Sequence, residues 1–371
     1  MEQAEAAERS GFWGGLGASI GRLLVSLFVP LITFGVLYFL FRFLRDTEIP
    51  KGLGAIIAIV WGVGGALALF FVANFVVEQF SDRWKRRLTP FIFVGPALVI
   101  LGWYLALTTV RSFYASLFDA SGEVFVGLEN YVYAFTSPPM LQSFRNNAVW
   151  LVVGTGFAVG FGLLIAVLAD RTHPRFETIA KSFIFMPYAV SMVGASIIFR
   201  FIYSFKPTGE QIGLLNAVVV ALGGKPQAWL LNQPWNTLFL IVILIWIQTG
   251  YAMVIISAGI KGIPGELLEA ARIDGANERQ VLTRIMIPYI QGTLVTVATT
   301  IILFTLKIFD IVQSMTGGNF GTQVIANEQY TQMFRAFHFG RGAAIAIVLL
   351  VLVIPVMWYN LREFSERSEA F

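Results

Sequence analysis

An all-α polytopic membrane protein with eight transmembrane helices is the fold class this sequence predicts, and three observations carry that reading. Of its 371 residues, 57% are hydrophobic and only 13% are charged. A soluble globular chain holds about 45–50% apolar and about 25% charged residues. The mean hydropathy of +0.73 is an excess that one water-surrounded core cannot absorb, so the remainder must be solvated by lipid. Finally, the apolar residues come in unbroken runs of roughly 20 or more, the length of a helix across the hydrocarbon core. Strands of a membrane barrel would alternate apolar and polar residues instead.

Taken in order, the runs fall at 21–44, 54–78, 89–112, 147–169, 182–204, 236–258, 288–311 and 342–362. The acidic start from Met1 to Arg9 lacks the basic, short apolar and small-residue pattern of a cleaved signal peptide, so the first run is read as a retained span. Pro187 and Arg200 interrupt the fifth run. An even number of spans puts both termini on one side. The cluster Arg83, Lys85, Arg86 and Arg87 marks that side as cytoplasmic. The outer segments 113–146, 205–235 and 312–341 are rich in Gly, Asn, Pro and aromatic residues, which suits turns and docking surfaces. A net charge of +4 suggests no nucleic-acid partner, because the basic residues sit in short clusters between apolar runs. The absence of cysteine excludes disulfides, thiolate metal sites and a thiol nucleophile.

The loop between the sixth and seventh spans, 261–288, is more than a simple turn. Pro264 suits the first turn of a helix, where its missing N–H costs nothing. The chain from Gly265 to Asp274 favours helix, and Gly275 is a natural stop. A second short helix fits from Asn277 to Ile287 before Pro288 opens the next span. Leu267, Leu268 and Ala271 form an apolar stripe beside the carboxylates of Glu266, Glu269 and Asp274. Held by two spans, such a knob can enter a cleft on a soluble partner.

Glu269, Ala270, Ala271, then Gly275, Ile285, Ile287 and Pro288 resemble the "EAA" loop of the membrane subunits of binding-protein-dependent ABC importers, with Ile287 where leucine is usual. Phe125–Tyr131, Met186–Val190, Lys307–Asp310 and Thr316–Gly318 are similar to the sugar-import branch. The eight spans resemble the larger membrane subunit of a maltose transporter, while Gly318–Thr322 and Phe337–Gly340 look closer to α-glucoside, trehalose and glucosylglycerol importers. The resemblance implies a type I permease core at 143–363, preceded by two extra helices within 1–88 and by a third span with its outer segment at 89–142. A short cytoplasmic tail follows at 364–371. It further implies residence in a bacterial inner membrane, with both termini cytoplasmic. The implied partners are a second permease subunit, favouring a heterodimer, two ATPase subunits and an extracytoplasmic solute-binding protein. On that reading Glu269, Ala270, Ala271, Asp274, Gly275, Ile285 and Pro288 couple the chain to an ATPase.

The resemblance also places the solute near the membrane midplane, where Tyr188 and Tyr251 offer aromatic faces and Gln248 and Thr305 offer polar groups for a sugar-like solute. Met192, Gln248, Ile301, Thr305 and Ile308 depart from the maltose pattern. Packing between helices is the alternative role for Gln248 and Thr305. Lys307 and Asp310 are spaced to share a helix face and pair, shaping an outer gate. His173 and His338 read as ordinary surface residues. The chain lacks a phosphate-cradling loop, since Gly224-Lys225 runs into Pro226. ATP and Mg therefore belong on the partner ATPase, with no catalytic residue, metal or cofactor expected on this chain. A stand-alone secondary transporter is the rival reading; it predicts internal repeats, broken paired helices and buried ion ligands. A membrane enzyme would need an acidic or histidine cluster at a membrane face.

Overall fold

A computed structural model of the chain describes residues 27–47, 49–80 and 82–368. The start of the first expected span at 21–26, the acidic N-terminal segment and residues 369–371 of the expected tail lie outside the described residues. Among the described residues there is no strand, only an isolated bridge between Phe118 and Phe125. The chain divides into two compact units, Met1–Thr108 and Thr109–Phe371.

The first unit holds helices α1 (Leu27–Asp46) and α2 (Lys51–Glu78) and most of α3 (Asp82–Ala115). Their apolar stretches are almost wholly uncovered, 0%, 6% and 6% buried. Helices apolar on every side suit a lipid solvent. The Arg83–Arg87 cluster lies inside the first turns of α3 rather than in a loop before it.

The second unit begins with the end of α3 and continues through α4 (Glu129–Thr136) and α5 (Pro138–Asp170). A π-helical turn, Trp150–Thr155, interrupts α5. Next come α6 (Pro174–Ala189), α7 (Met192–Ile202), α8 (Leu214–Ala221) and α9 (Trp235–Lys261). The chain then forms α10 (Gly265–Ile273), α11 (Glu278–Tyr289) and α12 (Gln291–Leu306). It closes with α13 (Asp310–Met315), α14 (Ile325–Tyr330) and α15 (Phe339–Ser368). Among the described residues six helices are long and apolar enough to cross a membrane, or up to eight if the bent pairs α6–α7 and α11–α12 each count as one span. That matches the expected eight.

Helix α9 is the axis of this unit, with 61% of its apolar stretch buried. Two cores flank it. One joins Trp150, Phe199, Leu240, Leu244, Ile308 and Val312. The other joins Ala166, Met253, Ile260, Val281, Met286 and Val297. Small residues permit the closest approach: a Cβ on Gly162 of α5 would sit 2.5 Å from the Cβ of Ala252 on α9. Van der Waals contact of this kind holds helices together in lipid, where hydrophobic burial supplies no drive.

Three expectations are corrected. The fifth span is two helices bent by 101°. Its first helix tightens to a 3₁₀ turn at Met186–Ala189, around Pro187, and Ser191 starts the second as N-cap, accepting from the Gly194 N–H at 3.0 Å. The seventh span bends by 70° and stops at Leu306. There the Leu306 carbonyl accepts from Asn147 Nδ2 at 3.2 Å, so a side chain satisfies the helix end. The outer segments, expected as loops, contain α4, α8, α13 and α14. Buried asparagines latch them: Asn146 donates to the carbonyls of Gly321 and Gln323, both at 2.7 Å, and Asn236 to that of Phe320 at 2.7 Å. The last helix also runs to Ser368, through most of the expected tail.

Candidate coupling loop and translocation site

The 261–288 segment folds as helix, glycine turn and helix. Pro264 is the N-cap of α10 rather than part of its first turn, and Asp274 is its C-cap. Gly275 adopts φ +85, the left-handed conformation that only glycine takes without strain. Asn277 starts α11 with a capping box: its side chain accepts from the Gln280 N–H at 2.9 Å, while Gln280 accepts from the Asn277 N–H at 2.8 Å. Leu268 and Ala271 pack inward on the core that holds Ile260, Ile263 and Val281. Leu267 and Ile273 face outward, Ile273 at 85% exposure. The expected stripe is therefore divided: two residues anchor the knob and one is exposed.

Glu269 and Ala270 are exposed on the same short helix. Asp274, Gly275 and Ile285 line a hollow of about 220 Å³ with Ala276, Gln280 and Arg284. Arg272 Nε and Arg171 donate to the two oxygens of Glu278 at 3.0 and 2.8 Å, tying α10 and the end of α5 to α11. Pro288 lies in the last turn of α11, just before the 70° bend.

The midplane residues come together in part. Tyr188, in the 3₁₀ turn that ends α6, stacks on Tyr251 of α9 with ring centroids 5.4 Å apart and planes 20° from parallel. Gln248, one turn before Tyr251, is buried, and its Oε1 finds no hydrogen-bond partner among the described residues. Thr305 is fully buried, and its hydroxyl donates to the Ile301 carbonyl of its own helix at 2.8 Å. It presents no free donor in this conformation.

Lys307 and Asp310 form no ion pair. The helix ends at Leu306, Lys307 is its C-cap, and Asp310 opens α13 with Phe309 as N-cap. The shared helix face that was to bring them together is absent. His173 is the N-cap of α6, accepting from the Arg175 N–H at 3.4 Å, and His338 accepts from the Arg341 N–H at 3.3 Å. Burial, and then the neighbouring Arg341, hold His338 below the usual histidine range.

Two clusters escaped the sequence reading. Glu177, buried on α6, is held by Lys181 and Lys261. The spacing Glu177-x-x-x-Lys181 was a legible signal; Lys261 was not, because its approach depends on packing. Glu328 is 3% exposed and accepts from Tyr133 Oη at 3.1 Å, Gln323 Nε2 at 2.6 Å and Gln332 Nε2 at 2.8 Å. Gln323 and Gln332 lie within five residues of it, but Tyr133 is 195 residues away, so no short motif marks the cluster. Among the described residues no group of three or more His, Asp or Glu side chains could hold a metal ion.

Residues 158–362 match the model of a family described as the binding-protein-dependent transport system inner membrane component. The chain is 52% identical over 279 residues to the osmoprotective compounds uptake permease protein of Synechocystis sp., covering 75% of this chain and 99% of that one. It is 46% identical over 331 residues to the alpha-glucoside transport system permease protein of Rhizobium meliloti, covering 85% of this chain and 98% of that one. Among solved structures it is similar to a chain of a bacterial ABC transporter that imports the acidic polysaccharide alginate. That likeness has a TM-score of 0.66 at 18% identity, covering 76% of this chain and 99% of the other.

Proposed function

Because the chain belongs to the binding-protein-dependent transport inner-membrane components, and is thus a multi-pass permease subunit of an ABC importer, we propose that it carries an α-glucoside, trehalose or glucosylglycerol-like solute into the cytoplasm. The observation that carries the sugar class is the Tyr188–Tyr251 stack beside the unpartnered Gln248 oxygen. Aromatic faces match the C–H faces of a pyranose, and an amide oxygen matches its hydroxyls. The relatives named for alpha-glucosides and osmoprotective compounds support the same class.

On this reading the helix bearing Glu269, Ala270 and Ala271, with Asp274, Gly275, Ile285 and Pro288 behind it, seats in a groove of one ATPase subunit. A second permease subunit completes the pathway, and an extracytoplasmic binding protein delivers solute to the outer segments. ATP and Mg act on the ATPases. Their closure moves α10 and turns the cavity outward; hydrolysis resets it. Both termini face the cytoplasm, and 143–363 forms the permease core. Lys307 and Asp310, unpaired here, stand near the outer end of α12 and contribute to the outer gate separately. The bent spans are of the kind a stand-alone transporter would show, so the family, not the bends, separates the two readings.

The test is reconstitution of the full transporter in liposomes. Binding protein loaded with one of these sugars is expected to stimulate ATPase activity and drive ATP-dependent uptake. Uptake driven by an ion gradient, with ATP without effect, would overturn the proposal.

A further inference from the structure

Glu177 on α6 is 8% exposed, yet its carboxylate meets two lysines from two helices. Lys181 lies one turn along α6, and Lys261 is the last residue of α9, its Nζ 2.6 Å from Glu177 Oε1. Lys181 also donates to Ser257 Oγ on α9. Glu177 and Lys181 are largely covered while Lys261 reaches in from a half-exposed position, so losing either lysine leaves the covered carboxylate with one partner fewer. Near its other end, α6 presses its backbone against α9. A Cβ on Gly250 would fall 2.5 Å from the Ile184 carbonyl oxygen and 2.8 Å from Phe185 Cα. Helix α6 is thus fastened to α9 at both ends, and the chain bends by 101° directly after it.

The helix to which α6 is fastened leads straight to the coupling loop. Only Gly262, Ile263 and Pro264 separate α9 from α10, and Leu268 and Ala271 of α10 pack on the same core as Tyr251. From Lys261 back to Tyr251 is roughly 15 Å of helix.

We propose that Glu177, Lys181 and Lys261 are positioning residues forming a strut that makes α6 and α9 one rigid lever, through which displacement of α10 reaches the Tyr188–Tyr251 pair. The inference rests on the reading of α10 as the ATPase seat. With the strut broken, α6 can pivot on its Gly250 contact, and Tyr188 loses register with Tyr251 while α10 still moves. ATP is then hydrolysed without reorganising the site.

The experiment uses the assembled, otherwise cysteine-free transporter in liposomes, with spin labels at Phe176→Cys on α6 and Trp235→Cys at the far end of α9. Both positions are exposed, at 64% and 62%, and α9 alone spans about 40 Å, within reach of pulsed electron paramagnetic resonance. The distance is expected to be unchanged between nucleotide-free and ATP-bound states in the native background. In Glu177→Gln or Lys261→Met it should shift or broaden with ATP, and uptake per ATP hydrolysed should fall at least about fivefold with assembly and ATPase activity retained. A native distance that changes with nucleotide overturns the strut, and needs no strut substitution to be seen; so does Glu177→Gln with native uptake per ATP. Native uptake in Glu269→Lys would instead remove the coupling reading and leave the distance result standing.

Discussion

A buried amide oxygen without a partner costs about 1–3 kcal/mol, and Gln248 bears that cost on α9, the most buried of the six single-helix candidate spans among the described residues. A residue retained only for packing would do better as an apolar isostere. Substitution separates the two roles considered for Gln248. Gln248→Met is expected to leave the melting temperature unchanged or raised while lowering solute uptake or altering solute preference. Tyr251→Ala is expected to lower uptake as well, since it removes one face of the stack. Uptake kinetics and thermal unfolding of both variants at normal expression check this. Native uptake by both would show that these side chains pack between helices and nothing more.

At the scale of the element, the turn from α10 into α11 depends on one left-handed backbone position. Gly275 sits at φ +85, and a Cβ there would meet nothing within 4 Å. Alanine therefore faces only the cost of the left-handed region, about 1–2 kcal/mol, and Gly275→Ala should keep most of the coupling. Proline, locked near φ of about −65°, has no access to that region and would redirect α11. Gly275→Pro, like Glu269→Lys, should leave solute-loaded binding protein able to dock while uptake and ATPase stimulation are lost. Co-purification of the ATPase with each variant, followed by uptake, reads this out. If Gly275→Pro and Glu269→Lys assemble and transport at native rates, this loop is not the coupling element. The broken fifth span belongs to the same scale. Irregular backbone at membrane depth is tolerated where protein covers it, and Tyr188 in the turn at that break packs on α9, facing Tyr251.

At the scale of the whole molecule, the charge pattern sets how the chain lies in the bilayer. Lys and Arg flanking a span are retained on the cytoplasmic side, and the Arg83–Arg87 cluster at the start of α3 is the sharpest such signal. Because the chain contains no cysteine, single cysteines report topology without background. An impermeant thiol reagent on intact spheroplasts should label a cysteine at position 127 and not one at position 85. The opposite pattern would invert the topology and put α10 on the wrong side for any ATPase.

Apolar run length and period by themselves determined that this chain is helical, that it crosses lipid, and where six of the eight spans lie, because helix length in a bilayer is fixed by hydrocarbon thickness. The helix–turn–helix shape of the 261–288 loop was equally legible: Pro264, Gly275 and Asn277 act through local backbone preferences, and those operate over a few neighbouring residues. What only tertiary structure decided is every feature that depends on residues far apart in sequence. Asn147 Nδ2 donates to the Leu306 carbonyl where the seventh span ends, and Lys307 and Asp310 fall on either side of that break. Thr305 spends its hydroxyl on its own helix. Tyr188 and Tyr251 face one another, and Glu177 finds Lys261, because α6 folds back on α9 at Gly250. Spacing along the chain records which residues share a helix face, but the meeting of two faces is set by packing, and no local pattern encodes it.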